Sequence, residues 1–156
     1  MKRFLCFLFL CSCGFTPMFA HNDTDVYVPV ISGINGIELR NALNTNFGGQ
    51  KPETAPYSLV VNLRSPQTKY KAIEPSGYAT WQEIAITANY TINYNGKKIA
   101  SGTEKASESY TFVRYLVASN AAYNNAVENA INVLAEKISA RAIAEISKHQ
   151  QGTAQQ

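Results

Sequence analysis

The chain has little of what most enzyme chemistry needs. Its 156 residues include 2 histidines, 3 cysteines and 1 tryptophan. His21 and His149 lie towards opposite ends, and the only aspartates are Asp23 and Asp25. Between Val26 and Ser147 there is no His, Asp or Cys. A Ser–His–Asp or Cys–His nucleophile system has no material there, and neither does a His or Cys metal site. Glu83, Glu104 and Glu108 remain as carboxylates for glycoside hydrolysis, but they fall in polar, alternating segments and read as solvated charges. No Gly-rich loop suited to cradling phosphate is present, and Gly33 and Gly36 beside Asn35 read as turn residues at a helix start. No catalysis, cofactor or metal is expected. Charge is also scarce. Charged residues make up 16% of the chain, below the roughly 25% usual in soluble domains. A formal net charge of +3 is too small for a basic nucleic-acid binder. Apolar residues at 46% exclude disorder as the main state.

No apolar run reaches the roughly 20 residues that span a bilayer. A shorter one opens the chain. Lys2 and Arg3 precede Phe4-Leu5-Cys6-Phe7-Leu8-Phe9-Leu10, the order of a secretory signal peptide. It ends in Leu10-Cys11-Ser12-Cys13-Gly14, which resembles the bacterial lipobox, whose Cys becomes the first mature residue and carries the lipid. Cleavage before Cys13 discards Cys6 and Cys11, leaving one cysteine and no internal disulfide. It also removes Lys2 and Arg3, so the mature chain is nearly neutral. More than one acyl chain on Cys13 would make a stable membrane anchor.

Residues 1–12 thus form the signal peptide, 13–25 a lipidated tether, 26–148 one folded domain and 149–156 a flexible tail. Within the domain, Val26–Ile31 reads as a strand that Pro29 confines to a sheet edge. A helix follows, with Asn35 and Glu38 spaced as a capping box and Ile34 and Leu39 as a hydrophobic staple. Leu39, Leu43 and Phe47 share its buried face, and Gly48-Gly49 ends it. Tyr57–Arg64 is a strand with Tyr57, Leu59, Val61 and Leu63 inward, and Ser65–Gly77 is a loop. A long strand from Thr80 to Tyr94 places Ile84, Ile86, Ala88, Tyr90, Ile92 and Tyr94 on one face. Asn95-Gly96 predicts a type I′ hairpin, pairing Tyr94 with Lys97, Ile92 with Ile99 and Tyr90 with Ser101. The returning strand, to about Ser109, has no readable core face, and Gly102 is a candidate bulge. A helix from Ser119 to Ser147 repeats Tyr123, Val127, Ile131, Leu134, Ile138 and Ala142. The fold class expected is α+β, a two-layer sandwich with a four-stranded, mostly antiparallel sheet and two helices on one face.

With chemistry excluded, surface remains. Basic residues gather in the loop and at the hairpin, as Arg64, Lys69, Lys71, Lys97 and Lys98, with tyrosines nearby. Thr87, Asn89, Thr91 and Asn93 form the polar face of the long strand, suited to a wet enclosure such as a water-filled barrel.

Cys13-Gly14-Phe15-Thr16-Pro17-Met18-Phe19 resembles the start of mature LptE, the lipopolysaccharide-assembly lipoprotein, as found in alphaproteobacteria. Ile37–Leu43 resembles the first helix of that family and Tyr57–Val61 the strand after it. Gly77-Tyr78-Ala79-Thr80, followed by Ala88–Ile92, resembles its central strand. Phe19 and Trp81 depart from the usual Tyr and Arg. The resemblance spans nearly the whole mature chain through order and spacing. It implies a sheet with two helices on one face. It also implies an outer-membrane lipoprotein without enzymatic activity, facing the periplasm and plugging the LptD β-barrel lumen. Such a protein helps assemble the barrel and assists lipopolysaccharide insertion into the outer leaflet. Contact with lipid A phosphates requires Lys or Arg, and Arg64, Lys69, Lys71, Lys97 and Lys98 are the candidates by charge placement. The alternative is an auxiliary lipoprotein of another envelope lipid-transport system, bound to soluble or membrane partners.

Overall fold

A computed structural model describes residues 24–73, 75, 79–111 and 115–154. Cys13, the signal peptide and most of the tether lie outside the described residues. Seven elements follow in order: β1 (Val26–Tyr27), α1 (Ile34–Asn46), β2 (Tyr57–Leu63), β3 (Gln67–Ile73), β4 (Ala79–Tyr94), β5 (Lys97–Thr111) and α2 (Leu116–Ala154). β1 pairs in parallel with β2 through Val26 and Tyr27, and the remaining pairs are antiparallel. The α+β sandwich is as expected, with five strands instead of four.

The fifth strand, β3, falls in the segment expected as a loop. Every residue of β3 is exposed, so no buried alternation marks it in the sequence. What forms it is the length of β4. β2 covers only Ala88–Tyr94 on one edge of β4, and β3 takes Ala79–Ala85 of the same edge. Between them the Arg64 amide donates to the Thr87 carbonyl at 2.9 Å. β5 lines the whole opposite edge.

β4 places Ile84, Ile86, Ala88, Tyr90 and Ile92 in the core, as its alternation predicts. β5 is corrected. Asn95 and Gly96 adopt positive φ (47° and 77°), as a type I′ turn needs, and Tyr94 pairs with Lys97. A bulge at Ile99 then shifts the register by one, so that Ile92 meets Ala100 and Tyr90 meets Gly102. The helix-facing side of β5 is therefore Ala100, Gly102, Glu104, Ala106, Glu108 and Tyr110, with Ala106 fully buried. Gly102 is not the bulge. A Cβ there would lie 2.5 Å from Tyr90 Oη and 2.7 Å from its ring carbon Cζ, so the glycine accommodates the tyrosine laid across it.

The start of α1 also differs from expectation. Its N-cap is Gly33, at φ 88°, with no side-chain capping bond. Asn35 lies inside the helix, and Ile34 is 78% exposed and staples nothing. Gly36 sits so close to Ile31 that a Cβ would meet that carbonyl oxygen at 2.6 Å, and this contact sets the position of the first turn. The other end is as predicted: Gly48 (φ 80°) donates to Thr45 and Gly49 to Asn44, closing a Schellman motif. Leu39, Leu43 and Phe47 then enter one core with Leu59 and Val61 of β2.

α2 has 39 residues, about 58 Å at 1.5 Å per residue. Val127, Ile131, Leu134, Ile138 and Ala142 are buried as expected, and Ala126, Ala130 and Ala135 let the helix approach closely. Lys137 Nζ donates to the Lys105 carbonyl at 2.8 Å, and Arg141 pairs with Glu104 at 3.4 Å. The helix continues through Ala154, into the segment expected as a tail. His149 is thereby brought onto the sheet. Its ring centroid lies 4.7 Å from that of Tyr94, and its Nδ1 meets the Tyr57 hydroxyl at 3.3 Å.

We expect Gly102→Ala to lower unfolding free energy by about 1–3 kcal/mol, the usual cost of overpacking, as read by urea denaturation. The penalty should shrink in a Tyr90→Ala background, because the two residues are in contact. Equal penalties in both backgrounds would mean that Gly102 serves some purpose other than room for the ring. A second expectation concerns pH. Burial foremost, then neighbouring tyrosine or glutamate charge, raises Tyr57, Tyr90 and Tyr110 above the ordinary 10.0. Their stabilisation is complete below the unfolded value and is lost as pH rises through the folded ones. Thermal stability should therefore lose no contribution from these groups between neutrality and pH ~9, and fall above pH ~10. Phe at all three positions should flatten that fall.

Candidate functional site

The register of β4 separates the five basic candidates. Lys97 and Lys98 stand beside the hairpin turn, opposite Tyr94 and Asn93. Lys69 of β3 pairs with Glu83 of β4, eleven residues from Tyr94 along that strand, or roughly 35 Å at ~3.3 Å per residue. Arg64 lies between, where β2 gives way to β3. All five are exposed, but the four lysines form two groups at opposite ends of the sheet and on opposite edges of β4. No single phosphate-sized ligand touches both groups.

The groups also differ electrostatically. Lys71 is bound to Glu83 at 3.0 Å, and Lys69 sits directly across from that carboxylate. One negative charge thus offsets much of the local positive charge. At the hairpin, neither Lys97 nor Lys98 has an ion-pair partner among the described residues. Opposed residues of an antiparallel pair share a face. Lys97 therefore projects on the helix side with Tyr94, and Lys98 on the bare side with Asn93. The tip has firm support. Tyr94, the last residue of β4, packs on Tyr57 at 4.9 Å between ring centroids and on His149. Burial favours the neutral form of Tyr57 and holds its hydroxyl protonated, while a hydrogen bond from Gln150 pulls the other way. The histidine that the sequence places in a tail therefore braces the hairpin. An aromatic residue at each strand end was the available signal.

The bare face of the sheet is broad and polar. Thr87, Asn89, Thr91 and Asn93 of β4 run down its centre, flanked by Ser58 and Asn62 of β2 and by Ser101, Thr103 and Ser107 of β5. Asn93 donates to Ser58 at 3.3 Å and Thr103 to Asn89 at 2.8 Å. These side chains satisfy part of their hydrogen bonding within the face, and charge enters it beside them through Lys98 and Lys105 of β5 and, toward the far end, through Glu83 with Lys69 across from it. At the far end Trp81 is 51% exposed, close in the sequence pairing to Ala72 and Thr111. Exposed Tyr70, Ile73, Tyr115, Leu116 and Val117 also belong to segments that end there. Sequence reading missed this apolar end, because its residues are spread over three segments that only the sheet brings together.

Among the described residues no group of three or more His, Cys, Asp or Glu side chains could hold a metal ion. No described helix is long and apolar enough to cross a membrane.

No family model matches the chain, and no curated protein matches it in sequence. Solved structures do match. A candidate lipoprotein from Caulobacter crescentus CB15 superposes with a TM-score of 0.66 at 17% identity, over 81% of this chain and 93% of that one. Rare lipoprotein B from Shewanella oneidensis gives 0.59 at 12% identity, over 85% and 98%. Lipoprotein B from Nitrosomonas europaea gives 0.57 at 16%, over 80% and 87%. At these identities the likeness is one of fold, and the chain has the open-sheet, two-helix fold of these bacterial lipoproteins.

Proposed function

We propose that the protein is an LptE-like outer-membrane lipoprotein. In this reading Cys13 carries the lipid anchor, and the body plugs and helps assemble the LptD β-barrel. The protein assists lipopolysaccharide insertion and performs no catalysis. The observation that carries the reading is the agreement of two independent lines. The residues resembling LptE imply a sheet with two helices on one face, and the structure matches rare lipoprotein B in that same arrangement over nearly its full length. The lipobox Leu10-Cys11-Ser12-Cys13-Gly14 supports it from the sequence.

The geometry supplies a physical rationale. A barrel lumen is lined with polar groups and water. The Thr, Asn and Ser side chains of the bare face can exchange hydrogen bonds with such a wall, directly or through bridging water. The central row of Thr87, Asn89, Thr91 and Asn93 brings no formal charge to bury, which would cost several kcal/mol per ion, while Lys98 and Lys105 stand exposed beside it. The helices shield the core on the opposite side. The hairpin tip offers two ammonium groups with no ion-pair partner among the described residues, on a rigid mount, and lysine acts on phosphate as a point charge. We assign lipid A phosphates to Lys97 and Lys98 ahead of Lys69 and Lys71, because Glu83 opposes the latter pair. Arg64 lies apart from both groups.

The test is purification of the tagged full chain from detergent-solubilised envelopes. An outer-membrane β-barrel and lipopolysaccharide should co-purify with it. In the same preparation, Lys97→Asp with Lys98→Asp should leave the barrel bound and reduce the retained lipopolysaccharide about tenfold or more, as loss of two charge-assisted contacts would. Recovery without any barrel would refute the plug reading. Undiminished lipopolysaccharide would remove the hairpin tip from the site.

A further inference from the structure

A groove of about 480 Å³ lies on the helix side of the molecule, away from the hairpin and the polar face. The first turns of α1 provide Ile34 and Glu38. Pro66, in the break between β2 and β3, closes one end, and Tyr123, Val127 and Glu128 of α2 form the far wall. Val127 is a buried floor, whereas Ile34 stands 78% exposed.

Two of these residues have no task in the fold. Glu38 is spaced to complete a capping box, but α1 is capped by Gly33 with no side-chain bond. Ile34 is spaced for a staple that does not form. Both line the groove instead. Glu38 and Glu128 have no ion-pair partner among the described residues, and no Lys, Arg or His lines the groove. Its formal charge is −2 from these two carboxylates, in a chain whose overall balance is +3. The open amides at the start of α1 offset roughly half a charge, so the groove stays negative.

We propose that this groove binds an arginine-bearing segment of a partner polypeptide. Charge complementarity selects a cation. The mixture of wall types selects arginine. Its guanidinium can bridge carboxylates through paired hydrogen bonds and stack on an aromatic face such as Tyr123, while its methylene stem covers apolar surface such as Ile34. A small polyamine or a divalent ion would leave Ile34 in water. The tether of this chain is not the occupant, because residues 13–25 contain no Lys or Arg. The proposal does not depend on the barrel-plug reading.

The probe is the peptide acetyl-Leu-Arg-Leu-amide, titrated into the isotope-labelled full chain in detergent and followed by backbone amide NMR. Shifts should concentrate at Ile34, Glu38, Tyr123 and Glu128. The same peptide with citrulline for arginine, isosteric but uncharged, should bind at least about tenfold more weakly. Glu38→Gln with Glu128→Gln should give a similar loss while leaving the remaining spectrum in place, since both side chains are exposed. Equal binding of the two peptides, or undiminished binding by the double variant, would overturn the proposal. Displacement of the peptide by equimolar spermine or calcium would also overturn it, and would make the groove a small-cation site.

Discussion

Everything in this molecule hangs on one strand being longer than any single neighbour on its first edge. β4 needs two partners there, so β2 and β3 follow each other along it, and the whole of the other edge goes to β5. Unpaired backbone groups are costly where water cannot reach them, and the inward side of β4 is sealed by Ile84, Ile86, Ala88, Tyr90 and Ile92 under the helices. β3, whose side chains bury nothing, is held by this demand for backbone pairing. The slim alanine-rich face of α2 lets the helix lie along β4 and β5 for most of its length.

A long strand also gives the molecule two ends and two faces with different characters. At the hairpin end the aromatic residues Tyr57, Tyr94 and His149 support Lys97 and Lys98, which have no ion-pair partner among the described residues. At the other end Trp81 and Tyr70 are exposed, and Lys71 is tied to Glu83. One face is helical and encloses the core, and the other is mainly a lattice of Thr, Asn and Ser, with Lys98, Lys105 and Glu83 among them. That second face is a surface made for hydrogen bonding to a close, wet neighbour, which is what the proposed barrel lumen provides.

Much of the fold was legible because its signals are local. The alternation of Ile84 to Tyr94, the Asn95-Gly96 turn, the Gly48-Gly49 helix end and the heptad-like run from Tyr123 to Ala142 each follow from period and backbone preference alone. The failures share a different origin. The bulge at Ile99 re-aims the twelve residues of β5 that follow it, and nothing in Lys97-Lys98-Ile99-Ala100 announces it. Gly102 reads as an irregularity until Tyr90 is seen across it. Asn35 and Glu38 satisfy the spacing of a capping box, but packing of Gly36 on Ile31 decides where α1 begins. For the candidate site, the polar face was visible in the period of two. The separation of Lys69 and Lys71 from Lys97 and Lys98 was not, because it depends on β3 joining the sheet.

Hydrogen–deuterium exchange of the full chain tests most directly whether β4 is paired along its entire length. The amides of β4 should exchange slowly throughout residues 79–94, and the amides of β3 that face it should be protected despite their exposed side chains. Rapid exchange across residues 67–73 and 79–85, with protection confined to 86–94, would contradict the account. It would show that the far half of the sheet is not built, and that the basic and aromatic residues there have no fixed place.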